Sequence, residues 1–148
     1  MVFARDFIEI PQPFEAVAPR LVRDATWFEP IARDAVEEVV ATMGELYPDQ
    51  SVHGGLAPLT VRCTRGPIRL RGGALVVPLS WETSPPTALV PSMDCDLEVV
   101  PLGAARSQIA LNANNGAPGH RDVATRRAME SGLRAFLRQL AAQLEVAS

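Results

Sequence analysis

Apolar positions recur along this chain with two different periods, and the switches between them mark its elements. Val2 to Ile10 is rich in Phe and Ile and reads as a strand stopped by Pro11. Pro13 suits a first helical position, and Phe14, Val17 and Leu21 continue a short helix that Pro19 limits or kinks. Thr26-Trp27-Phe28-Glu29 has the form of a capping box. Behind it Phe28, Ile31, Ala35, Val36, Val39, Val40, Met43, Leu46 and Tyr47 recur every three or four residues, which predicts a second helix to about Tyr47. Pro30 falls in its first turn, where a missing N–H costs little. Pro48 ends it, and Pro48 to Ala57 reads as a loop holding Gly54-Gly55.

The period then drops to two. Leu59 to Thr64 predicts a strand and Arg65-Gly66-Pro67 a turn. Ile68 to Arg71 and Ala74 to Thr83 flank Gly72-Gly73, a hairpin signal or a bulge in one longer strand. Ser84-Pro85-Pro86 breaks the run. From Met93 to Val100 the residues Met93, Cys95, Leu97 and Val99 face one way and Asp94, Asp96 and Glu98 the other, so the sheet has one dry and one wet face. Pro101 to Ala105 turns the chain, and Ser107, Ile109, Leu111 and Ala113 alternate with Arg106, Gln108 and Asn112 in a last strand.

From Arg121 to about Val146, Met129, Leu133, Phe136, Leu137, Leu140 and Leu144 fall on one stripe at helical spacing. The order is therefore a strand, two helices, about five strands and a long helix. This is an α+β pattern without repeats, low-complexity tracts or linkers, read as one domain over residues 1–148. A long helix lying across a mostly antiparallel sheet tends to enclose a groove or cavity.

Composition narrows the function classes. A chain of 148 residues can bury one real core, and 47% apolar with 21% charged residues is a globular balance. The net charge of -3 gives no attraction for nucleic acid or an anionic membrane surface. No apolar run approaches the roughly 20 residues that span a bilayer. The segment Met1 to Asp6 lacks the pattern of a signal peptide, so a cytoplasmic protein is expected. All 14 basic residues are arginine, which rules out a side-chain Schiff base, a phosphate-loop lysine and a lysine general base.

The ordered elements resemble the START-like (SRPBCC) superfamily, the helix-grip ligand-binding and polyketide cyclase-like proteins, in a small bacterial form. Ile10-Pro11-Gln12-Pro13-Phe14-Glu15-Ala16-Val17 is similar to that family's first strand running into its first helix. Val77-Pro78-Leu79-Ser80-Trp81, Asp96 to Leu102 and the tail from Arg127 through Leu137 resemble its strand segments and C-terminal helix. The resemblance implies a curved antiparallel sheet wrapped around the long C-terminal helix, with two shorter helices after the first strand. It carries no shared catalytic signature, so it implies fold far more than function.

The chemistry available is sparse. His53 and His120 stand apart from any Cys, Ser or carboxylate at triad spacing and read as loop or surface histidines. With Cys63 and Cys95 they match no zinc spacing, so no metal and no cofactor is expected. Cys63 and Cys95 sit in strand-like runs and read as two buried thiols; a disulfide would need neighbouring strands and an oxidising compartment. On a helical wheel Asp122 and Arg126 continue the side of Met129, Leu133 and Leu140. They are read either as an i,i+4 ion pair at the rim, or as placing Arg126 at a cavity mouth to hold a ligand carboxylate or phenolate. Gly132, between Ala128 and Ala135, marks either close approach of another element or a widened cavity.

Cys63, Leu79, Trp81, Met93, Cys95, Leu97, Ile109 and Leu111 are the expected inner face, with Trp27 and Phe28 closing one end. The ligand-contacting set is expected to be Trp27, Phe28, Cys63, Trp81, Met93, Cys95, Arg126, Met129, Leu133 and Phe136. Three readings follow. The first is binding of a small hydrophobic or aromatic molecule such as a lipid or polyketide. The second is an enzyme of the cyclase or aromatase type, using Arg126, Tyr47, Glu82, Asp94 or His53, although strand alternation turns Asp94 outward. The third is a non-catalytic interaction module, including a homodimer through a sheet edge or exposed face, whose outer Arg62, Arg69, Arg71, Asp94, Asp96 and Glu98 are simply solvated.

Overall fold

The structure, a computed structural model, describes residues 2–23, 27–46, 60–84, 92–115 and 122–146. Along the chain lie β1 (Val2–Ile10), α1 (Phe14–Arg23), α2 (Phe28–Leu46), β2 (Thr60–Arg65), β3 (Arg69–Arg71), β4 (Ala74–Ser84), β5 (Met93–Leu102), β6 (Arg106–Asn115) and α3 (Asp122–Val146). The strands form one curved antiparallel sheet in the order β1-β6-β5-β4-β2, with β3 also paired to β4. Helix α3 crosses the inward face, packed against α2 on one side and β1 on the other. This is the helix-grip fold that the order of elements implied.

Alternation decides which face is dry. Val61 and Cys63 of β2, Leu75, Val77, Leu79 and Trp81 of β4, Met93, Cys95, Leu97 and Val99 of β5, and Ile109, Leu111 and Ala113 of β6 are all buried. Against them α3 sets Ala128, Met129, Leu133, Phe136, Leu137, Leu140 and Leu144, each almost without exposure. Each large side chain of that stripe contributes about 1.5–3 kcal/mol by leaving water. Helix α2 closes the remaining side through Phe28, Ile31, Ala35, Val36, Val39 and Met43. The outer face is wet, with Arg62, Arg69, Arg71 and Asp94 exposed and Asp96 paired to Arg69 at 3.6 Å.

Two local devices shape the sheet. Gly72 and Gly73 take φ values of 55° and 84°, so they form a two-residue turn with both central residues left-handed, and β3 and β4 are a tight hairpin. Between Arg65↔Leu79 and Arg69↔Val76, residues 66–68 face only 77–78, which is a one-residue bulge. The Gly66 N–H donates to the Pro78 carbonyl at 2.9 Å there. In an antiparallel ladder a residue's N–H and C=O point to the same neighbour. The donor that Pro78 lacks therefore falls on the bulged side, where the ladder is already interrupted, and a proline is tolerated in mid-strand.

Several boundaries move from the sequence reading. β2 is Thr60–Arg65 and takes in Arg65, expected in a turn, while β3 begins at Arg69. β5 passes through Pro101 to Leu102. Helix α1 runs through the exposed Pro19 to Arg23, since a proline there removes a single hydrogen bond near the end of a short helix. The expected capping box at Thr26, the loop from Pro48 to Ala57 and the Pro85-Pro86 breaker lie outside the described residues.

Arginines close the helix ends. The last turn of α3 holds no basic residue, and its orphan carbonyls are met from α1 instead. Arg20 donates from Nη1 to the Leu144 carbonyl at 2.6 Å and from Nη2 to that of Gln143 at 3.1 Å, and Gln12 Nε2 also donates to Leu144 at 3.1 Å. A cation at a helix C-terminus is favoured by the macrodipole as well. Arg65 does the same for the end of α1, donating to the Val22 carbonyl at 2.6 Å. Replacing the half-buried Arg20 by alanine should lower stability by about 1–2 kcal/mol, read from the midpoint of urea unfolding. An unchanged midpoint in Arg20→Ala would show that these bonds hold nothing in place.

Candidate functional site

Of the expected contact residues, Trp27, Phe28, Trp81 and Phe136 form a chain of rings in the sheet–helix interior, Cys63, Met93, Cys95, Met129 and Leu133 are buried in the same core, and Arg126 lies outside it. Trp27 stands half-buried just before α2, and Phe28, its first residue, is fully buried. Their ring centroids are 6.0 Å apart. Phe28 lies near-parallel to Phe136 of α3 at 6.4 Å, and Phe136 meets Trp81 of β4 at 5.7 Å with the rings tilted by 43°. Strand register sets Cys63 beside Trp81 on one side and Met93 on the other. Cys95 lies one row along, opposite Leu79. Met129 and Leu133 are fully buried on the same stripe of α3 as Phe136.

Gly132 explains how closely these groups approach. A Cβ placed on it would meet Val39 Cγ2 at 3.4 Å, Met93 Cε at 3.5 Å and Trp81 Cη2 at 3.7 Å. Of the two sequence readings, close approach is therefore the one the packing supports. These are ordinary contact distances, so α2, β4 and β5 close the space beside Gly132 while leaving room for a Cβ.

Trp81 carries the one polar atom of this cluster that stands out. It is 3% exposed, and its indole Nε1–H is buried without a hydrogen-bond partner among the described residues. Buried donors are nearly always paired, because stripping one of water without replacement costs about 1–3 kcal/mol. At the outer edge of the cluster the Arg20 guanidinium lies over the Trp27 ring, 5.7 Å from its centroid.

The two thiols are held neutral. Burial pushes Cys63 up to about 12, with the Glu29 carboxylate adding to the effect. Burial likewise pushes Cys95 up to about 12, helped by Cys63, Asp94 and Asp96. Both cysteines are free. Strand β4 separates β2 from β5, which puts their backbones about 9–10 Å apart, beyond the reach of a disulfide. Neither thiol is a nucleophile at neutral pH in this setting.

Arg126 stands exposed on α3, and burial along that helix begins only at Ala128. Glu82 and Asp94 are exposed on the outer face of the sheet, away from the cluster. Tyr47, His53, His120 and the Asp122 side chain lie outside the described residues. Among the described residues no three His, Cys, Asp or Glu side chains group as a metal site. Described residues line two surface depressions. One, of about 340 Å³, lies over the outward Thr64, Pro78, Ser80, Asp94, Asp96, Asn112 and Asn114. The other, of about 330 Å³, runs between α2 and α3 past Glu38, Arg127, Arg134 and Arg138.

Sequence reasoning missed three participants. Arg20 acts from another helix, and nothing in its local pattern shows that it will lie over Trp27. Glu29 was visible only as a capping residue, although its charge also acts on Cys63. Val39 was legible as core but not as a partner of Gly132.

No family model matches the sequence, and neither does any curated protein. Among solved structures the chain is similar to DynU16, from the dynemicin biosynthetic locus, with 12% identity and a TM-score of 0.47. That match covers 100% of this chain but 49% of DynU16, so the chain spans about half its length. The hypothetical protein jhp0584 from Helicobacter pylori has 15% identity and a TM-score of 0.47, covering 95% of this chain and 86% of that one. The Zhui aromatase/cyclase from Streptomyces sp. R1128 has 15% identity and a TM-score of 0.38, covering 97% and 93%. No described helix is long and apolar enough to cross a membrane.

The raised thiols give a signed pH dependence. An unfolded cysteine ionises near 9.0, so the folded state holds its protons longer than the unfolded chain does. This contribution to stability is complete below pH 9 and is lost as pH rises from 9 toward 12. Unfolding free energy should fall over that window and fall less steeply in a Cys63→Ala, Cys95→Ala protein. Equal slopes in the two proteins would show that the thiols are not protected.

Proposed function

We propose that the chain binds a small hydrophobic or aromatic molecule, of lipid or polyketide type, between the sheet and α3 at the end marked by Trp27, Phe28, Trp81 and Phe136. The observation that carries this reading is the buried, unpartnered indole N–H of Trp81 inside an otherwise apolar cluster. A core packed for stability alone has no use for such a donor, and phenylalanine would serve it better. A binding interior holds a few placed polar groups among apolar walls.

Cys63, Met93, Cys95, Met129 and Leu133 supply soft, adaptable surface around the rings. Because Gly132 is closely approached, the ligand makes room by rotation of Met93, whose unbranched chain has several accessible rotamers. Arg126 lies near the exposed N-terminal end of α3, about 15 Å of helix rise before Phe136, and contacts the ligand only where the ligand extends to that end.

The test is direct uptake. The neutral dye Nile red should bind saturably at one site per chain and accept energy from the tryptophans. Mass spectrometry under non-denaturing conditions should reveal a small-molecule adduct that is released on unfolding. A chain that shows neither saturable dye binding nor an adduct does not have this function.

A further inference from the structure

The chemistry around Trp81 says more about the ligand than that it is apolar. We infer that Trp81 is a specificity-determining residue whose indole N–H selects an uncharged ligand carrying a hydrogen-bond-accepting oxygen, such as an aryl ketone, over both the hydrocarbon of the same shape and the carboxylate. This deepens the binding reading above and rests on it.

Three observations carry the argument. The first is the donor itself, buried and unpartnered. An indole N–H donates and cannot accept, so its complement must be an acceptor. The second is its surroundings. Among the described residues Trp81 lies against the Phe136 ring, the Gly132 backbone region and its strand partners Cys63 and Met93, whose side chains offer no strong acceptor. A ligand oxygen would meet the donor where the protein does not.

The third is the sign of the local field. The half-buried Glu29 opposes negative charge at Cys63, the strand partner of Trp81. Among the described residues the cations at either end of α3 are engaged or outside. Arg20 spans the end of α3 and the face of Trp27, and Arg126 is exposed before α3 becomes buried. A carboxylate placed beside Trp81 would lose its hydration and gain no cation, whereas a neutral carbonyl needs only the one donor.

Three probes of nearly the same planar shape separate the possibilities: 2-acetylnaphthalene, 2-isopropenylnaphthalene and 2-naphthoate. Dissociation constants are measured by isothermal titration for the native chain and for Trp81→Phe. The native chain should bind the ketone and reject the naphthoate. Its preference for the ketone over the hydrocarbon should shrink roughly tenfold in Trp81→Phe, the usual weight of one buried neutral hydrogen bond.

Should Trp81→Phe fail to fold, Trp81→3-benzothienylalanine keeps the shape and replaces the N–H by sulfur; the same loss of preference is expected. A preference that survives loss of the N–H overturns the inference, as does naphthoate binding tightest. If ketone and hydrocarbon bind with the same ratio before and after substitution, the interior takes apolar ligands and Trp81 does not choose among them. If none of the three probes binds while Nile red does, the inference is overturned and the binding reading stands; if Nile red and the adduct are absent as well, the binding reading itself falls.

Discussion

The structure depends on one contact above all others, the docking of the α3 stripe against the inward face of the sheet. The apolar row from Ala128 to Leu144 and the inward residues of β2, β4, β5 and β6 have no other way to leave water. Neither half is stable alone: a single helix is marginal in water, and a sheet with one bare apolar face would associate. Everything else positions this contact. The bulge at Gly66 and the tight Gly72-Gly73 turn set the edge of the sheet, and α2 seals the side that the sheet leaves open.

Polar groups are placed where that burial would otherwise strand them. The carbonyls at the end of α3 receive Arg20 and Gln12, the end of α1 receives Arg65, and the buried Ser107 hydroxyl donates to the Gln12 carbonyl at 2.8 Å. The exposed ion pairs Arg106–Glu9 and Arg138–Glu38 add little by comparison. Against this thorough pairing the indole of Trp81 is out of keeping. A chain without lysine that uses long arginine forks to close helix ends leaves one buried donor with nothing to hold. The proposal that the interior binds a ligand rests on that contrast.

Much of the fold was legible in the sequence because periodicity reports directly on burial. The alternation of Met93, Cys95, Leu97 and Val99, and the three-to-four spacing of Met129, Leu133, Phe136 and Leu140, mark residues that are buried. Register was less legible. A bulge moves one residue, and only the partner strand reveals that residues 66–68 face 77–78. Pro78 and Pro101 both lie inside strands, since a proline breaks pairing only where its missing donor was needed.

The candidate site was legible in its members but not in its arrangement. Trp27, Phe28, Trp81 and Phe136 were picked out as bulky apolar residues, yet nothing local says that their rings form a chain from α2 to β4. Arg126 shows the limit of the wheel. Its angle matches Leu133, but Val123, Arg126 and Arg127 are all exposed, and burial starts at Ala128. Angle gives the face a residue points to, whereas position along the helix decides whether anything is there to cover it. The lone indole donor was invisible for a related reason, because partnership is a property of neighbours.

The account stands or falls on whether that donor meets a ligand. The chain has two tryptophans, so a ¹⁵N-labelled sample shows two indole N–H signals, which Trp81→Phe assigns. Titration with a planar neutral ketone should move the Trp81 signal downfield and slow its exchange with solvent, while that of Trp27 changes little. A Trp81 signal that stays fixed while the ketone saturates the protein would contradict the central claim.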